Sequence, residues 1–371
     1  MTRRILLPAA LLLAFATAAP AATSAAATRA TAPPAAAGIG EKRIVGDRQY
    51  PATFTFAPDG RIFYGTRFKG TVAIWDPVTK KGTVFYTVTH LAHNGEQGLL
   101  GVTLHPDYPT TPYVYVYATR DIDGKLQNQI LRITDSNGTG VDAKVIFSSN
   151  TTAGVYHDGG RVLFGPDGML YAIVGDAHNS ANSQDRTQSA GKILRMTPAG
   201  KAPGDNHYPG REWVIGIRNS YGFTFDFAHT GLMWETENGP ECNDELNLIQ
   251  SAKNYAWGPH ETCSTPPAPP ANTNQDGPNP VLPLRFWGTT IAPTGAVFCD
   301  GCGLTGAEGR LFFGAYNTGQ IREDILTSDR MDIVSQSIVH THGSGILSME
   351  RGTDGSIYFS DATAIYQLTN T

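Results

Sequence analysis

The sequence predicts an all-β fold, a six-bladed β-propeller, from two observations. A Pro-Asp-Gly-like turn followed by alternating residues rich in Tyr, Phe, Ile and Val recurs at spacings of roughly 45 to 80 residues. Apolar residues with the 3.6-residue period of a helix are scarce, so helices contribute little. Repeats of this length made of short strands are typical of propellers, whereas a β-sandwich would not explain a turn that returns once per blade.

Each copy of the repeat is predicted to form a β-hairpin whose turn supplies a residue with positive φ. In chain order, the copies occupy residues 56–65, 104–117, 164–171, 225–234, 308–313 and 351–359. Six copies favour six blades, and the strand near Lys42–Val45 is expected to complete the blade that the C-terminal segment builds. The longer loops are then expected to gather at one end of the central channel, where residues distant in sequence meet.

The ends of the chain predict its organisation. Residues 1–22 have the layout of a cleavable secretory signal, since two arginines precede an apolar stretch and small residues follow. Residues 23–40 are predicted to be a low-complexity Ala/Thr/Pro leader, and residues 41–371 a single propeller domain. No other stretch approaches the roughly 18 apolar residues needed to span a bilayer. The mature protein is therefore expected to be secreted or periplasmic, without a membrane span.

Charge and cysteine content narrow the possible partners. The net charge of -5 and the absence of a basic cluster argue against a nucleic-acid partner. The four cysteines of an exported chain favour disulfides over a metal site. Three pairings are possible, and the most local one joins Cys242 to Cys263 and Cys299 to Cys302. A zinc site would need a second CxxC pair or suitably spaced histidines.

Two candidate residues adjoin predicted strands in the middle of the chain. His157 precedes the Gly159–Gly160 pair, and its imidazole could take up a proton near neutral pH as a general base. The alternative is a histidine with a structural role. Asp176 ends a predicted strand and could orient His157 or bind a substrate hydroxyl, although an aspartate in this position also caps turns.

Two further segments carry groups that could bind a ligand. Arg218 and Asn219 follow an apolar strand and offer donors to a carbonyl oxygen or an oxyanion, unless the arginine forms a structural salt bridge. Gly239 and Pro240 lie in a segment rich in Glu and Asp, which could present backbone carbonyls and carboxylates to Ca²⁺. An ordinary acidic loop would have the same composition.

Several ordered motifs resemble one known family, the soluble quinoprotein glucose/sorbosone dehydrogenases. The motifs are Glu96–Tyr108, His157–Gly168 with Gly175–Asp176, Gly191–Arg195, Gly216–Asn219, Glu237–Leu248 and Asn254–Trp257, and together they cover most of the mature chain. Members of this family are six-bladed propellers that oxidise aldose sugars with pyrroloquinoline quinone (PQQ) and Ca²⁺. The resemblance therefore implies a sugar substrate and an external electron acceptor.

The resemblance also implies roles for the candidate residues. His157 matches the base that removes the proton of the anomeric hydroxyl while hydride passes to PQQ, and Asp176 would support it. Arg218 and Asn219 match residues that contact the quinone carbonyls. The backbone carbonyls of Gly239 and Pro240 match Ca²⁺ ligands. Sugar contacts are assigned to Glu96, Gln97 and Asp176.

The last third of the chain departs from the family pattern. Family members carry a lysine where this chain has Asn317, and two arginines where an ungapped alignment gives Gly345 and Leu347. Those cations pair with the carboxylates of the cofactor, which glycine and leucine cannot do. Possible substitutes nearby in sequence are Arg285, His340, His342 and Arg351. The departure keeps two alternatives open: a non-redox propeller that binds a carbohydrate or protein, and a Ca²⁺-dependent hydrolase of the lactonase type.

Overall fold

The structure, a computed structural model, describes residues 38–46, 49–260, 263 and 276–371. These residues form 24 β-strands and one short helix, and the strands are arranged in six four-stranded sheets. The predicted six-bladed β-propeller is therefore confirmed. The predicted signal at 1–22 and residues 23–37 of the predicted leader lie outside the described residues. The first strand begins at Ile39, inside the stretch that the sequence assigned to the leader.

Each sheet is one blade, and within blades 1 to 3 the strands follow one another along the chain. Blade 1 contains β2 (Pro51–Phe56), β3 (Ile62–Thr66), β4 (Thr71–Asp76) and β5 (Lys81–Thr87). Blade 2 contains β6 (Leu99–Leu104), β7 (Tyr113–Ile122), β8 (Lys125–Ser136) and β9 (Thr139–Ser148). Blade 3 contains β10 (Val162–Phe164), β11 (Leu170–Val174), β12 (Lys192–Met196) and β13 (Glu212–Ile215), with helix α1 (Ala181–Gln184) between β11 and β12.

Blades 4 and 5 repeat this order, and blade 6 differs. Blade 4 contains β14 (Ser220–Phe225), β15 (Met233–Glu237), β16 (Asp244–Ile249) and β17 (Arg285–Trp287). Blade 5 contains β18 (Pro293–Phe298), β19 (Leu311–Ala315), β20 (Gln320–Leu326) and β21 (Ile333–Thr341). Blade 6 contains β22 (Ser348–Arg351), β23 (Ile357–Ser360) and β24 (Ile365–Asn370), and its outer strand is β1 (Ile39–Val45) from the other end of the domain.

The six recurring turns occupy equivalent places, because each one joins the first strand of a blade to the second. In two of them, Gly60 with φ 85° and Gly168 with φ 72° provide the left-handed conformation that residues with a Cβ rarely adopt. The turns therefore mark one end of the propeller. The loops that lead into the first strands mark the other end, and they carry most of the candidate site.

The hydrophobic core is divided among the interfaces between neighbouring blades. Six clusters of buried apolar side chains each draw on two adjacent blades, and together they complete the circle. For example, Val72 of blade 1 packs with Val116 of blade 2, and Phe54 of blade 1 packs with Ile365 of blade 6. Each blade is thus stabilised by apolar burial on both of its faces.

Two disulfides match the most local pairing considered from the sequence. Cys242 is bonded to Cys263, and Cys299 is bonded to Cys302. The first of them closes a loop that follows Gly239 and Pro240, and the second lies in the turn between β18 and β19. No helix among the described residues is long and apolar enough to cross a membrane.

Strand β1 closes the ring as the sequence predicted. It pairs antiparallel with β24, from Ile39 opposite Asn370 to Val45 opposite Ile365. Histidines from β21 and from the residue after it fasten this strand to blade 5. His340 Nε2 lies 2.8 Å from Glu41 Oε2, and His342 Nδ1 lies 2.8 Å from the same oxygen.

His342 also contacts the β23–β24 turn, so it links that turn to strand β1. Its Nε2 lies 3.2 Å from Asp361 Oδ2, so both ring nitrogens face carboxylates, an arrangement that suits the doubly protonated imidazolium. Burial alone would lower the pKa of His342, but hydrogen bonds to Asp361 and Glu41 raise it above its ordinary value of 6.5. Burial would raise the pKa of Asp361, but hydrogen bonds from His342 and Thr363 lower it to about 2.

These pKa directions predict that the stability contributed by the contacts of His342 depends on pH. The raised pKa of His342 means that its contribution is complete below pH 6.5 and is lost as the pH rises through the folded-state pKa. The lowered pKa of Asp361 means that its contribution is present above pH 3.8 and is lost as the pH falls toward 2. His342→Gln is expected to lower the melting temperature by about 2 to 4 °C at pH 5.5, the shift that ~1 kcal/mol produces in a large domain.

Thermal unfolding of both proteins between pH 5 and pH 9 measures this effect. The difference in melting temperature between His342→Gln and the wild type should shrink as the pH rises. The control is His229→Gln, because His229 is exposed, and its melting temperature should match that of the wild type at every pH. A difference for His342→Gln that is the same at every pH would contradict the assigned ion pairs.

Candidate active site

A cavity of about 480 Å³ opens at the end of the propeller where the first strands begin. This volume lies within the range of about 300 to 1,000 Å³ that is usual for small-ligand sites. Of the residues with predicted roles, the cavity is lined by Glu96, His157, Arg218, Asn219, Gly239 and Pro240. A second cavity, lined by Phe56, Phe225 and Phe298 among others, lies at the opposite end beside the recurring turns.

His157 lies in the loop that leads into the first strand of blade 3, with only 7% of its surface exposed. Its Nδ1 is 2.7 Å from Asp176 Oδ1, and its backbone N–H donates to Glu96 Oε2 at 2.8 Å. The neighbouring strand approaches very closely, because a Cβ on Gly175 would lie 2.2 Å from the carbonyl oxygen of His157. The backbone and ring of His157 are thus both fixed, and the residue still reaches the cavity wall.

Asp176 lies behind the cavity lining and is hydrogen-bonded to the ring of His157. It is 1% exposed, and its Oδ1 also accepts the backbone N–H of His178 at 2.8 Å. The indole Nε1–H of Trp257 donates to Oδ2 at 2.7 Å. Both carboxylate oxygens are occupied and Asp176 is not part of the cavity lining. This geometry fits the predicted orienting role, and the contact with a substrate hydroxyl that the sequence also suggested stays a prediction.

Arg218 and Asn219 form the wall beside His157. The backbone N–H of Arg218 donates to Glu237 Oε1, and its Nη1 donates to the carbonyl of Asn238 at 2.8 Å. The guanidinium lies over Trp257, with Cζ 5.2 Å from the ring centroid. Burial lowers the pKa of Arg218, although neighbouring carboxylates oppose this. The Nε–H of Arg218 is buried and has no hydrogen-bond partner among the described residues.

The two predicted sugar contacts next to each other in sequence have different environments. Glu96 lines the cavity, and its Oε2 also accepts Asn219 Nδ2 at 2.9 Å. Gln97 is fully buried and outside the cavity lining. Its Nε2 donates to the carbonyl of Gly154 at 2.7 Å, and its Oε1 accepts the backbone N–H of Asn94 at 3.2 Å. Gln97 is therefore engaged with backbone groups behind the cavity lining, and its contact with a sugar stays a prediction.

The Gly239–Pro240 segment is held against the cavity by Asp244. Asp244 Oδ1 accepts the backbone N–H of Gly239 at 2.8 Å, and Oδ2 accepts those of Ile291 and Ala292 at 2.6 and 2.7 Å. Both carboxylate oxygens are therefore used to shape the loop. The described residues contain no group of three or more His, Cys, Asp and Glu side chains suited to a metal. Backbone carbonyls remain the candidate Ca²⁺ ligands of this segment.

Most carboxylates around this segment are buried inside blade 4. Glu235 and Glu237 lie on β15, and Glu245 lies on β16 opposite Glu237. Burial raises the pKa of Glu235 to about 7 and that of Glu245 to about 8, and it also raises the pKa of Glu237. None of these three residues lines the cavity. The acidic composition that suggested carboxylate ligands for a cation therefore reflects buried groups within the sheet.

The wall opposite His157 does not carry the lysine and arginines that the family resemblance led us to expect. Asn317 and Leu347 line the cavity, so a neutral amide and an apolar side chain stand there. Tyr316 packs over Gly345, where a Cβ would lie 2.6 Å from the ring carbon Cδ2.

The four substitutes suggested by the sequence are engaged elsewhere. His340 and His342 face Glu41, and Arg351 lies 3.9 Å from Asp300. Arg285 donates to the carbonyl of Leu284 at 2.7 Å. None of the four is part of the cavity lining.

Trp257 and Arg67 are among the residues of the site that sequence reasoning missed. Trp257 contacts both Asp176 and Arg218. Its only signal in the sequence was its position at the end of the family motif Asn254–Trp257. Arg67 lines the cavity from blade 1, where it follows β3. A single arginine after a strand carries no local signal, since its place in the cavity depends on the closure of the ring.

Comparison with known families identifies the family of the chain. Residues 48–367 match the family model described as glucose/sorbosone dehydrogenase. The chain belongs to this family. A curated relative, the aldose sugar dehydrogenase YliI of Escherichia coli, is 26% identical over 330 residues, which cover 83% of this chain and 86% of that protein. The quinoprotein glucose dehydrogenase B of Acinetobacter calcoaceticus is 27% identical over 249 residues, covering 58% of this chain and 52% of that protein.

A solved structure of the family agrees with the fold. The PQQ-bound aldose sugar dehydrogenase of Streptomyces coelicolor is 25% identical, with a TM-score of 0.77, and the match covers 91% of this chain and 99% of that chain. The family and these relatives support a sugar oxidoreductase of a PQQ-linked family.

Proposed function

We propose that this protein is an exported, PQQ-dependent dehydrogenase that oxidises an aldose or related alcohol and passes the electrons to an external acceptor. One observation carries the proposal: a histidine paired with a buried aspartate lines the same cavity wall as Arg218 and Asn219. Export rests on the signal-like residues 1–22 and is consistent with the two disulfides.

His157 is the proposed general base. Its Nδ1 faces Asp176, so when Nδ1 carries a proton for that hydrogen bond, Nε2 is left with the lone pair. This nitrogen would take the proton of the sugar hydroxyl as the carbon is oxidised. Asp176 then stabilises the imidazolium that forms and keeps the ring in one orientation. Asp176 is a positioning residue, because its oxygens are occupied by protein donors.

PQQ fits one side of the cavity well. PQQ, when bound, supplies the two-electron acceptor that the side chains themselves lack. Asn219 Nδ2 already donates to Glu96 and Tyr221. Arg218 lines the cavity and uses its Nη1 toward the carbonyl of Asn238, so the other terminal N–H groups of its guanidinium are the candidate donors for the quinone oxygens. They would stabilise negative charge that develops on those oxygens.

Ca²⁺ would be held by the backbone carbonyls of Gly239 and Pro240. Hard cations prefer oxygen ligands, and both residues line the cavity in a loop fixed by Asp244. A Cβ on Gly239 would lie 2.0 Å from the carbonyl oxygen of Cys242, so the tight path of this loop requires glycine.

A direct titration tests the proposal. PQQ is added to the purified, Ca²⁺-loaded protein while the quinone absorbance is followed, and a panel of aldoses is then added. We expect saturable binding and bleaching that depends on the sugar. The absence of PQQ binding would contradict the proposal and favour the two alternatives that the neutral wall at Asn317 and Leu347 keeps open.

The same preparation separates these alternatives. A carbohydrate-binding propeller would bind sugars without turnover of any kind. A hydrolase of the lactonase type would open sugar lactones without added quinone and would depend on Ca²⁺. The proposed dehydrogenase should reduce an artificial dye only when PQQ and an aldose are both present.

A further inference from the structure

The lining of the cavity carries few positive charges, and they come from different parts of the ring. Among the described residues that line it, the arginine and lysine side chains are Arg67 and Arg218. Arg218 belongs to the wall beside His157, where its Nη1 is bonded to Asn238. Arg67 comes from the β3–β4 turn of blade 1 and faces the cavity from the other side. Any acid group of a ligand on that side therefore has Arg67 as its available cation.

The side chain of Arg67 is held in place by neutral groups. Its Cζ lies 5.3 Å from the ring centroid of Tyr50 and 4.8 Å from that of Phe68. Its Nε–H donates to the carbonyl of Gln97 at 3.2 Å, and Nη2 donates to the carbonyl of Gly95. Stacking and carbonyl contacts fix the guanidinium without neutralising its charge. A guanidinium has five N–H donors, so donors remain after these two bonds.

Arg67 adjoins the neutral part of the wall. The hydroxyl of Tyr50, which lies under Arg67, is 3.4 Å from the hydroxyl of Tyr316. Tyr316 in turn packs over Gly345. A continuous surface therefore runs from Arg67 through the two tyrosines to the place where cationic side chains are missing.

We infer that Arg67 is the residue that binds an acid group of the ligand in this cavity. This inference rests on the proposed function, in which the ligand is PQQ, a planar aromatic tricarboxylate. A charged donor fixed in advance binds a carboxylate at low entropic cost. The neighbouring tyrosines offer aromatic faces for a flat ring and hydroxyl donors for further oxygens.

The test compares Arg67→Gln with the wild type in direct binding measurements. Glutamine removes the charge while keeping an amide that can donate to the loop carbonyls. Arg67→Lys retains the charge without the planar fork. The matched control is Arg186→Gln, since Arg186 also lies over a tyrosine, with Cζ 4.2 Å from the ring of Tyr208, and is not part of the cavity lining. Thermal unfolding of each variant establishes that it is folded.

Three probes are titrated into each full-length protein by calorimetry: PQQ, its trimethyl ester and benzene-1,3,5-tricarboxylate. We expect Arg67→Gln to weaken the binding of the two free acids by roughly 10- to 100-fold, the loss that one charge-assisted hydrogen bond produces. Binding of the ester, which has no acid group, should change little. Arg67→Lys should fall between, and Arg186→Gln should match the wild type.

The outcomes separate this inference from the proposed function. Equal PQQ affinity in the wild type and Arg67→Gln would overturn the role of Arg67 and leave the dehydrogenase proposal intact. Binding of the tricarboxylate that depends on Arg67, without binding of PQQ, would support Arg67 and overturn the cofactor. A wild type that binds none of the probes would overturn both. If Arg67→Gln does not fold, the role is decided by Arg67→Met, which keeps a long side chain without the charge, and unchanged affinity of that variant for the free acids would overturn it.

Discussion

Replacing His157 with glutamine is expected to lower the rate of aldose oxidation by roughly 10²- to 10⁴-fold, the contribution usual for a general base. Glutamine keeps a side chain of similar length and can still donate to Asp176, but its amide cannot take up a proton. His157 already has φ 64°, so glutamine inherits the same backbone conformation without adding a new clash. Most of the fold is stabilised by apolar burial between blades, so the variant should remain folded.

The measurement is the rate at which an aldose bleaches the absorbance of bound PQQ in a single turnover. This isolates the oxidation step from the later transfer to the external acceptor. PQQ affinity and the melting temperature are determined on the same samples. A large fall in rate with little change in either of those quantities is expected, because His157 acts on the sugar.

His178→Gln is the matched control. His178 has φ 60°, its ring centroid lies 4.9 Å from that of His157, and it is not part of the cavity lining. The backbone N–H that it donates to Asp176 survives the substitution. We expect a change below roughly tenfold, well under the general-base effect. A similar fall in rate in both variants would show that the rate depends on the packing around Asp176 and that His157 does not act as a base.

The fold could be predicted from the sequence because its signals are local. A turn that needs a positive φ, as at Gly60 and Gly168, leaves a visible residue pattern wherever it recurs. The closing pair of strands was also predictable, since the repeat left one strand at each end of the chain without a partner. The start of β1 at Ile39 was missed because a low-complexity composition extends up to that residue.

The site could be predicted only where its residues belong to motifs. His157, Asp176 and Arg218 come together as expected, through loops at one end of the channel. The tyrosine pair could not be foreseen, because Tyr50 and Tyr316 are 266 residues apart and meet only when the ring closes. The resemblance implied sugar contacts for both Glu96 and Gln97, but it could not reveal that only Glu96 lines the cavity, because the side-chain direction of neighbouring residues is set by the folded loop.

Leu347→Arg is expected to strengthen PQQ binding by roughly 10- to 100-fold, because one added charge-assisted hydrogen bond is worth about 1.5 to 3 kcal/mol. Leu347 already lines the cavity, so the new guanidinium starts at the wall where cations are missing. The gain should vanish with the trimethyl ester of PQQ and shrink at high salt. Calorimetry with the acid and the ester measures it, and Leu347→Gln controls for size and polarity. An equal gain with both forms of PQQ would contradict recognition of the carboxylates.

Gly345→Arg should behave in the opposite way, although the same alignment suggests an arginine there. A Cβ on Gly345 would lie 2.6 Å from both the ring carbon Cδ2 and the carbonyl oxygen of Tyr316. Forcing a side chain into such a contact costs about 1 to 3 kcal/mol of folding free energy. We expect a lower melting temperature and no gain in PQQ affinity. Adding Tyr316→Ala would remove the ring contact but leave the carbonyl contact, so the double variant should stay destabilised. Because Tyr316 occupies the space beside Gly345, a cation can be added to this wall at Leu347 but not at Gly345.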